Sequence, residues 1–127
     1  MNIRKPTDYS SMYVALDQLT EMALPQVELY FEMGRVICAR SEKGAAVAAS
    51  EYLQATYPDA TGFSPRNLRR MREFFRTYEY NPKLVKQAMR ISWTQNVVIL
   101  ETELTMEERA WYLRAAEQFS WSKKELA

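Results

Sequence analysis

Histidine is absent from this chain of 127 residues, and cysteine occurs only once, at Cys38. Histidine is the commonest general base and metal ligand in proteins, so its absence removes many catalytic arrangements. A structural zinc site needs four Cys or His ligands and is therefore excluded. A single cysteine also excludes an internal disulfide, which suits a reducing cytoplasm. Its helical spacing from neighbouring apolar residues predicts a small core residue rather than a reactive thiol.

Glycine is scarce as well, and the three glycines stand apart, at Gly34, Gly44 and Gly62. They cannot form a glycine-rich phosphate-binding loop. Together with only five prolines, they leave few positions for tight hairpin turns, which favours helices over strands. No apolar run approaches the ~20 residues of a membrane-spanning helix, and the N-terminus lacks the apolar centre of a secretory signal. We therefore predict one all-α, cytoplasmic domain over residues 1–127, without membrane association, metal or cofactor.

The carboxylates show no arrangement typical of a nuclease. Many Mg²⁺-dependent nuclease sites place an acidic residue two positions before a lysine, and none of the 16 Asp and Glu residues has a lysine there. Paired carboxylates occur, for example Glu107 with Glu108, but they have a plainer role at a helix end. We therefore expect that this chain is not an enzyme by itself.

Helical spacing of apolar residues extends from residue 9 to residue 40, and Pro25 is expected to kink this segment or split it into two helices. Lys43–Gly44 indicates a stop, and a further helix is predicted from Ala45 to Tyr57. The residues expected to be buried on it are Val47, Ala48, Tyr52 and Leu53. Residues 58–62 are predicted to form a turn.

The helix after that turn carries clear signals at both ends. Ser64 is predicted to cap it, and Pro65 to occupy its first position, where a missing N–H costs nothing. We expect this helix to continue to about Tyr78. Asn81–Pro82 then marks its end, because the residue before a proline disfavours helical geometry.

Three capping boxes mark further helix starts, namely Ser92–Gln95, Thr105–Glu108 and Ser122–Glu125. In each, a Ser or Thr side chain and a Glu or Gln three residues later satisfy each other's backbone N–H groups. Less than two helical turns of sequence follow the last box, which predicts that the natural polypeptide or its relatives continue past Ala127. The aromatic residues near the boxes are predicted to be core rather than base-stacking platforms: Trp93, Trp111, Tyr112, Phe119 and Trp121.

The net charge of +1 conceals an asymmetry along the chain. Residues 1–63 carry five Lys or Arg against eight Asp or Glu, which gives −3. Residues 64–79 carry five Arg against two Glu, which gives +3, and residues 80–127 carry seven basic against six acidic residues, which gives +1. Positive charge concentrated in one segment is typical of a protein that meets a polyanion.

The basic segment divides into two faces when it is drawn as a helix at about 100° per residue. The apolar face consists of Leu68, Met71, Phe74, Phe75 and Tyr78. The nearly opposite face consists of Arg66, Arg69, Arg70, Arg72 and Arg76, with only Glu73 inside it. Exposed helix faces ordinarily interleave acids and bases at i,i+4, and this one largely does not.

A helix pair at about residues 45–79, joined by a glycine-containing turn, resembles a helix-turn-helix whose second helix is basic. Arginine forks can grip phosphate oxygens or guanine edges, and Asn67 in the first turn can pair with adenine or bond a phosphate. One alternative is a solvated face whose arginines pair with acids of the N-terminal region. Another is a helical protein–protein or homodimerisation adaptor that docks through aromatic helices near Trp111 and Trp121.

Several separated blocks of this sequence, over about residues 24–126, form a recognisable set in a fixed order. The longest block is Gly62-Phe63-Ser64-x-Arg66-Asn67-Leu68-x-x-Met71-Arg72-x-Phe74. Upstream of it lies Tyr30-x-x-x-Gly34-x-x-Ile37. Downstream lie Ser92-Trp93, Glu108-Arg109-x-x-Tyr112-Leu113 and Trp121-Ser122-x-x-Glu125-Leu126.

These blocks resemble the YhcG N-terminal domain of bacteria, and the resemblance implies a helical bundle with a helix-turn-helix or winged-helix-like DNA-binding unit. In such proteins this module usually precedes a nuclease domain of the PD-(D/E)xK superfamily, a domain that the present sequence does not include. The resemblance also implies which residues lie on the recognition helix, namely Arg66, Asn67, Arg69, Arg70 and Arg72. The basic face adds Arg76 to this set. The expected partners are therefore duplex DNA and a nuclease domain.

Overall fold

The computed structural model describes residues 7–119, and the regular elements in that range are all helices. They are α1 (Ser10–Glu21), α2 (Gln26–Cys38), α3 (Ala45–Thr56), α4 (Pro65–Tyr78), α5 (Pro82–Ala88), α6 (Trp93–Glu101) and α7 (Met106–Phe119). The predicted all-α class is confirmed. The sequence shows no evident wing hairpin, and residues 7–119 contain no β-strand that could form one. No helix within this range has the length and apolar character that crossing a membrane requires.

Pro25 splits the first helical segment, as predicted. It stands at the N-cap of α2 in extended geometry, with φ of −54° and ψ of 147°. Just before it, Ala23 has a φ of 53°, a left-handed conformation that a helix interior does not contain. The chain therefore leaves α1 and starts α2 within a few residues.

Helix α4 lies at the centre of the fold and packs most extensively against α2 and then α3. All five residues of its predicted apolar face are buried: Leu68, Met71, Phe74, Phe75 and Tyr78. The Phe74 ring makes edge-to-face contacts with three other aromatic rings, those of Phe31, Tyr78 and Trp93. The hydrophobic core around these rings draws buried residues from each of the seven helices described above.

Gly34 allows α2 and α4 to approach each other closely. A Cβ atom at this position would lie 2.1 Å from the carbonyl oxygen of Met71, which belongs to the backbone of α4. Such a distance is far inside van der Waals contact, so only glycine fits at this crossing. Gly34 therefore marks the point where the backbones of α2 and α4 come into direct contact.

The turn before α4 is held from several sides. Gly62 has a φ of 89°, and a Cβ atom there would lie 2.2 Å from the hydroxyl oxygen of Tyr30. The carbonyl oxygen of Phe63 accepts hydrogen bonds from Ser50 Oγ at 2.6 Å and Gln54 Nε2 at 3.0 Å, which fixes the turn to α3. Ser64 Oγ accepts from the backbone N–H of Asn67 at 3.2 Å, so the predicted N-cap is confirmed.

The helix pair α3–α4 is present, but residues 57–64 separate its members. This connection is longer than the roughly three or four residues of a typical helix-turn-helix turn. The specific helix-turn-helix unit at residues 45–79 therefore stays a prediction.

The predicted buried face of α3 is wrong except at Leu53. Val47, Ala48 and Tyr52 are only half-buried. The residues that are buried on α3 are Ala45, Ala46, Ala49, Ser50 and Leu53. Small side chains let α3 lie close to α4, whereas the larger Tyr52 sits at the rim, where its hydroxyl donates a hydrogen bond to Asp17.

Asn81–Pro82 ends α4 as predicted, but the same residues also begin α5, a helix that was not among those predicted from the sequence. Asn81 Oδ1 accepts a hydrogen bond from the backbone N–H of Leu84 at 3.3 Å, and Pro82 takes the first position of α5. The arrangement repeats the Ser64–Pro65 start of α4, so the dipeptide signal identifies a helix start here as well as a stop.

Two of the three capping boxes are confirmed. In the first, Gln95 N–H donates to Ser92 Oγ at 3.1 Å and Ser92 N–H donates to Gln95 Oε1 at 2.9 Å. In the second, Thr105 and Glu108 form the same reciprocal pair, and the hydrogen bond from the Thr105 backbone lowers the pKa of Glu108. The third box, at Ser122, lies outside the described residues.

The prediction that the aromatic residues are core is confirmed for Trp93, which is 9% exposed. It is wrong for Trp111 and Phe119, which are 50% and 56% exposed. Helix α7 turns a different side inward: its buried residues are Arg109, Leu113, Ala115 and Ala116. Tyr112 is half-buried at the edge of the core, and Trp121 lies outside the described residues.

Candidate nucleic-acid interface

Arg66 and Arg69 are the freest cations of α4. Both side chains are exposed, and neither forms an ion pair or a hydrogen bond with any residue between 7 and 119. They are three positions apart on one helix, so their guanidinium groups are neighbours on its surface. Two like charges at this spacing destabilise a helix slightly, and a bound anion removes that penalty.

Arg70 lies beside this pair but is engaged by another helix. Its Nε–H donates to Glu101, the last residue of α6, in an ion pair that links α4 to α6. The Arg70 side chain is 26% exposed and that of Glu101 is 46% exposed. Arg70 is therefore accessible from solvent, although its guanidinium group is already neutralised.

Arg76 is neutralised within α4 itself. Its Nη1–H donates to Glu73 at 2.9 Å, an i,i+3 ion pair whose members are both about half exposed. Pairs of this kind contribute little to stability and exchange readily with other partners. Arg76 thus remains available to an anion, but with a competing carboxylate on its own helix.

Arg72 lies beside the C-terminal end of α2 and is half-buried. Its Nε is buried and has no hydrogen-bond acceptor among residues 7–119. Cys38 Sγ–H donates to the backbone carbonyl of Arg72 at 3.5 Å. Burial raises the pKa of the Cys38 thiol, against the opposite effect of nearby Arg76, which agrees with a packing role for this cysteine.

Within the described part of the chain, no arginine of α4 pairs with an acid of the negatively charged N-terminal region. The two ion pairs that α4 forms there use Glu73, on α4 itself, and Glu101, at the end of α6. The alternative of a solvated face predicts ion pairs between these arginines and N-terminal acids, and residues 7–119 do not form such pairs.

A shallow cleft runs between α4 and α6 beside the free arginines. It has a volume of about 270 Å³. Its lining residues are Arg66, Arg69, Arg70, Glu73, Thr77, Leu100 and Glu101. Three of the seven lining residues are therefore arginines, and Leu100 contributes an apolar side chain.

Asn67 belongs to the interior rather than to this surface. It is 9% exposed, and both ends of its amide are used. Nδ2–H donates to the Gly62 carbonyl at 2.6 Å, and Oδ1 accepts from the indole Nε1–H of Trp93 at 2.9 Å. An amide engaged in this way is not positioned to contact a base. Its place about 100° before Leu68 on the helical wheel, inside the apolar arc, is the sequence signal that identifies it as interior.

Replacing Asn67 by alanine is expected to lower the free energy of unfolding by about 2 kcal/mol, because a buried indole N–H and a backbone carbonyl lose their partners. Urea denaturation measures this loss. In a Trp93→Phe background the same substitution costs less, since the indole donor is already gone. Unchanged stability in the single variant would contradict the structural role of this amide.

Among the residues between 7 and 119, no group of three or more His, Cys, Asp or Glu side chains is arranged to hold a metal ion. A family model described as the DUF1016 N-terminal domain matches residues 16–127. This is the N-terminal domain family of YhcG-type proteins, so the resemblance inferred from the sequence blocks is confirmed. No curated protein and no solved structure matches the chain.

Proposed function

Because this chain belongs to the DUF1016 N-terminal domain family, we propose that it is a DNA-binding module that presents α4 to the phosphate backbone. The observation that carries the proposal is the exposed pair Arg66 and Arg69, which forms no ion pair with residues 7–119 and lines one cleft together with Arg70. Planar guanidinium groups form strong, charge-assisted hydrogen bonds with phosphate oxygens.

Duplex DNA is the best match to this surface. Its phosphates present about one negative charge per 1.7 Å of helix axis, so a pair of arginines on neighbouring turns of a protein helix meets two or more of them. Backbone contacts of this type position a protein on DNA without selecting a sequence. With Asn67 engaged inside the fold, the surface supports backbone binding better than it supports base recognition.

The proposal assigns binding, and not catalysis, to this domain. A nuclease domain of the kind implied by the YhcG resemblance is the expected partner, and this module would deliver it to DNA in the bacterial cytoplasm. The single cysteine, which needs no oxidising compartment, supports that location.

Binding to a labelled duplex is expected to weaken steeply with salt. If two or three phosphates are neutralised, the plot of log K against log salt concentration has a slope of about −2 to −3, at roughly −0.9 per phosphate. Fluorescence anisotropy across a salt series measures the slope, and a single-stranded oligonucleotide of the same length is the comparison, at about −0.7 per phosphate. No retention at low salt, or a slope near zero, favours a protein–protein or dimerisation adaptor instead.

A further inference from the structure

The ion pair between Arg70 and Glu101 crosses a groove between α4 and α6. On one side of it lies the cleft that Arg66 and Arg69 line. On the other side lies a second cleft of about 190 Å³. Its lining residues are Asn67, Arg70, Trp93, Thr94, Val97, Val98 and Glu101. Among residues 7–119, Arg70 and Glu101 alone line both clefts, so their ion pair lies where the two clefts adjoin.

The position of Glu101 is unfavourable for α6 itself. It is the last residue of that helix, where the helix dipole places partial negative charge. A carboxylate there weakens the helix end, whereas a cation would support it. Its one ion pair among residues 7–119 is the contact with Arg70, which points to a role in the groove rather than in the helix.

The contact is also weak enough to be exchanged. Both side chains are partly exposed, and ion pairs in that situation contribute little to stability. A phosphodiester offers the same guanidinium group two oxygens in the geometry of its planar fork. Nearby Arg66 and Arg69 add attraction for the phosphate that Glu101 does not offset.

We propose that Glu101 is a built-in competitor of the nucleic-acid backbone: it closes the groove in the free domain, and a phosphodiester group displaces it from Arg70. The inference rests on the proposed DNA-binding function and adds a regulatory element to it. Once Glu101 is displaced, the two clefts join into one continuous groove along α4, and Arg70 becomes a phosphate ligand together with Arg66 and Arg69. Binding is therefore weaker than the arginine surface alone would give.

The test is Glu101→Gln, which keeps the shape of the side chain and removes its charge. Affinity for a labelled duplex is expected to rise about 5- to 10-fold with little change in the salt slope, because Arg70 contacts a phosphate in both complexes and only its competitor has been removed. The matched control is Glu103→Gln. Glu103 is exposed, lines neither cleft and forms no ion pair with residues 7–119, so its substitution removes the same charge without freeing Arg70.

An Arg70→Ala background supplies the decisive comparison, because the gain from Glu101→Gln should shrink there to the size of the Glu103→Gln effect. Melting temperatures verify that each variant is folded. If the wild type binds DNA but Glu101→Gln and Glu103→Gln behave alike, the competitor role is overturned while the DNA-binding function stands. If neither the wild type nor Glu101→Gln binds DNA at low salt, both are overturned.

Discussion

Replacing Gly34 by alanine is expected to destabilise the domain by about 3 kcal/mol, which is a large effect for the addition of one methyl group. The new Cβ would lie 2.1 Å from the carbonyl oxygen and 2.8 Å from the carbonyl carbon of Met71. These are backbone atoms of α4 and cannot rotate away as a side chain can, so the two central helices must separate. Alanine is better than glycine in a helix interior by about 1 kcal/mol, and the steric clash outweighs that gain.

Gly44→Ala is the matched control for this substitution. A Cβ atom at Gly44 would meet only the Tyr9 hydroxyl, at 3.5 Å, an ordinary contact distance. The backbone φ of −83° there is one that alanine adopts freely. We expect Gly44→Ala to lower the free energy of unfolding by no more than about 1 kcal/mol, since Gly44 is the N-cap of α3 and alanine is less favourable than glycine there. Chemical denaturation measures both variants. Equal midpoints for the two variants would mean that α2 and α4 do not cross as closely as described.

Replacing both Arg66 and Arg69 by alanine is expected to weaken duplex binding about 10- to 100-fold at moderate salt and to flatten the salt slope by about 1.8, because two phosphate contacts are lost. Stability is expected to change by less than about 0.5 kcal/mol, since neither exposed side chain has a partner within residues 7–119. Anisotropy titrations and thermal melts measure the two quantities separately.

The control for the arginine pair is Lys83→Ala with Lys86→Ala. These two lysines are exposed on α5, and their loss changes the net charge by the same amount. Their removal is expected to affect binding only weakly. Equal losses for the two double variants would show that binding follows net charge and not the α4 surface. A double arginine variant with unchanged affinity would place the contact elsewhere.

Local signals in the sequence are sufficient to locate α4. The helix runs from Pro65 to Tyr78, as predicted, because its cap, its first-turn proline and its apolar stripe all lie within the segment itself. The two confirmed capping boxes are equally local, since each is completed within four residues. Such features depend on neighbours along the chain and not on the tertiary fold.

The roles of individual side chains at the surface could not be predicted in the same way. Arg70 finds its carboxylate 31 residues away, at Glu101, and Asn67 finds its indole partner 26 residues away, at Trp93. A helical wheel separates a basic face from an apolar one, but it does not show which arginine another helix will neutralise. The inward side of α7 likewise depends on how α5 and α6 pack against it, and so the exposure of Trp111 was missed.

The first turn of α4 is held by hydrogen bonds that leave its outer residues uninvolved. These hydrogen bonds involve the side chains of Ser64 and Asn67 and the carbonyl groups of Gly62 and Phe63. The outward positions 66 and 69 can therefore change their side chains without disturbing the frame. Substitutions at these two positions are therefore a practical way to vary the surface that we propose for nucleic acid on an unaltered scaffold.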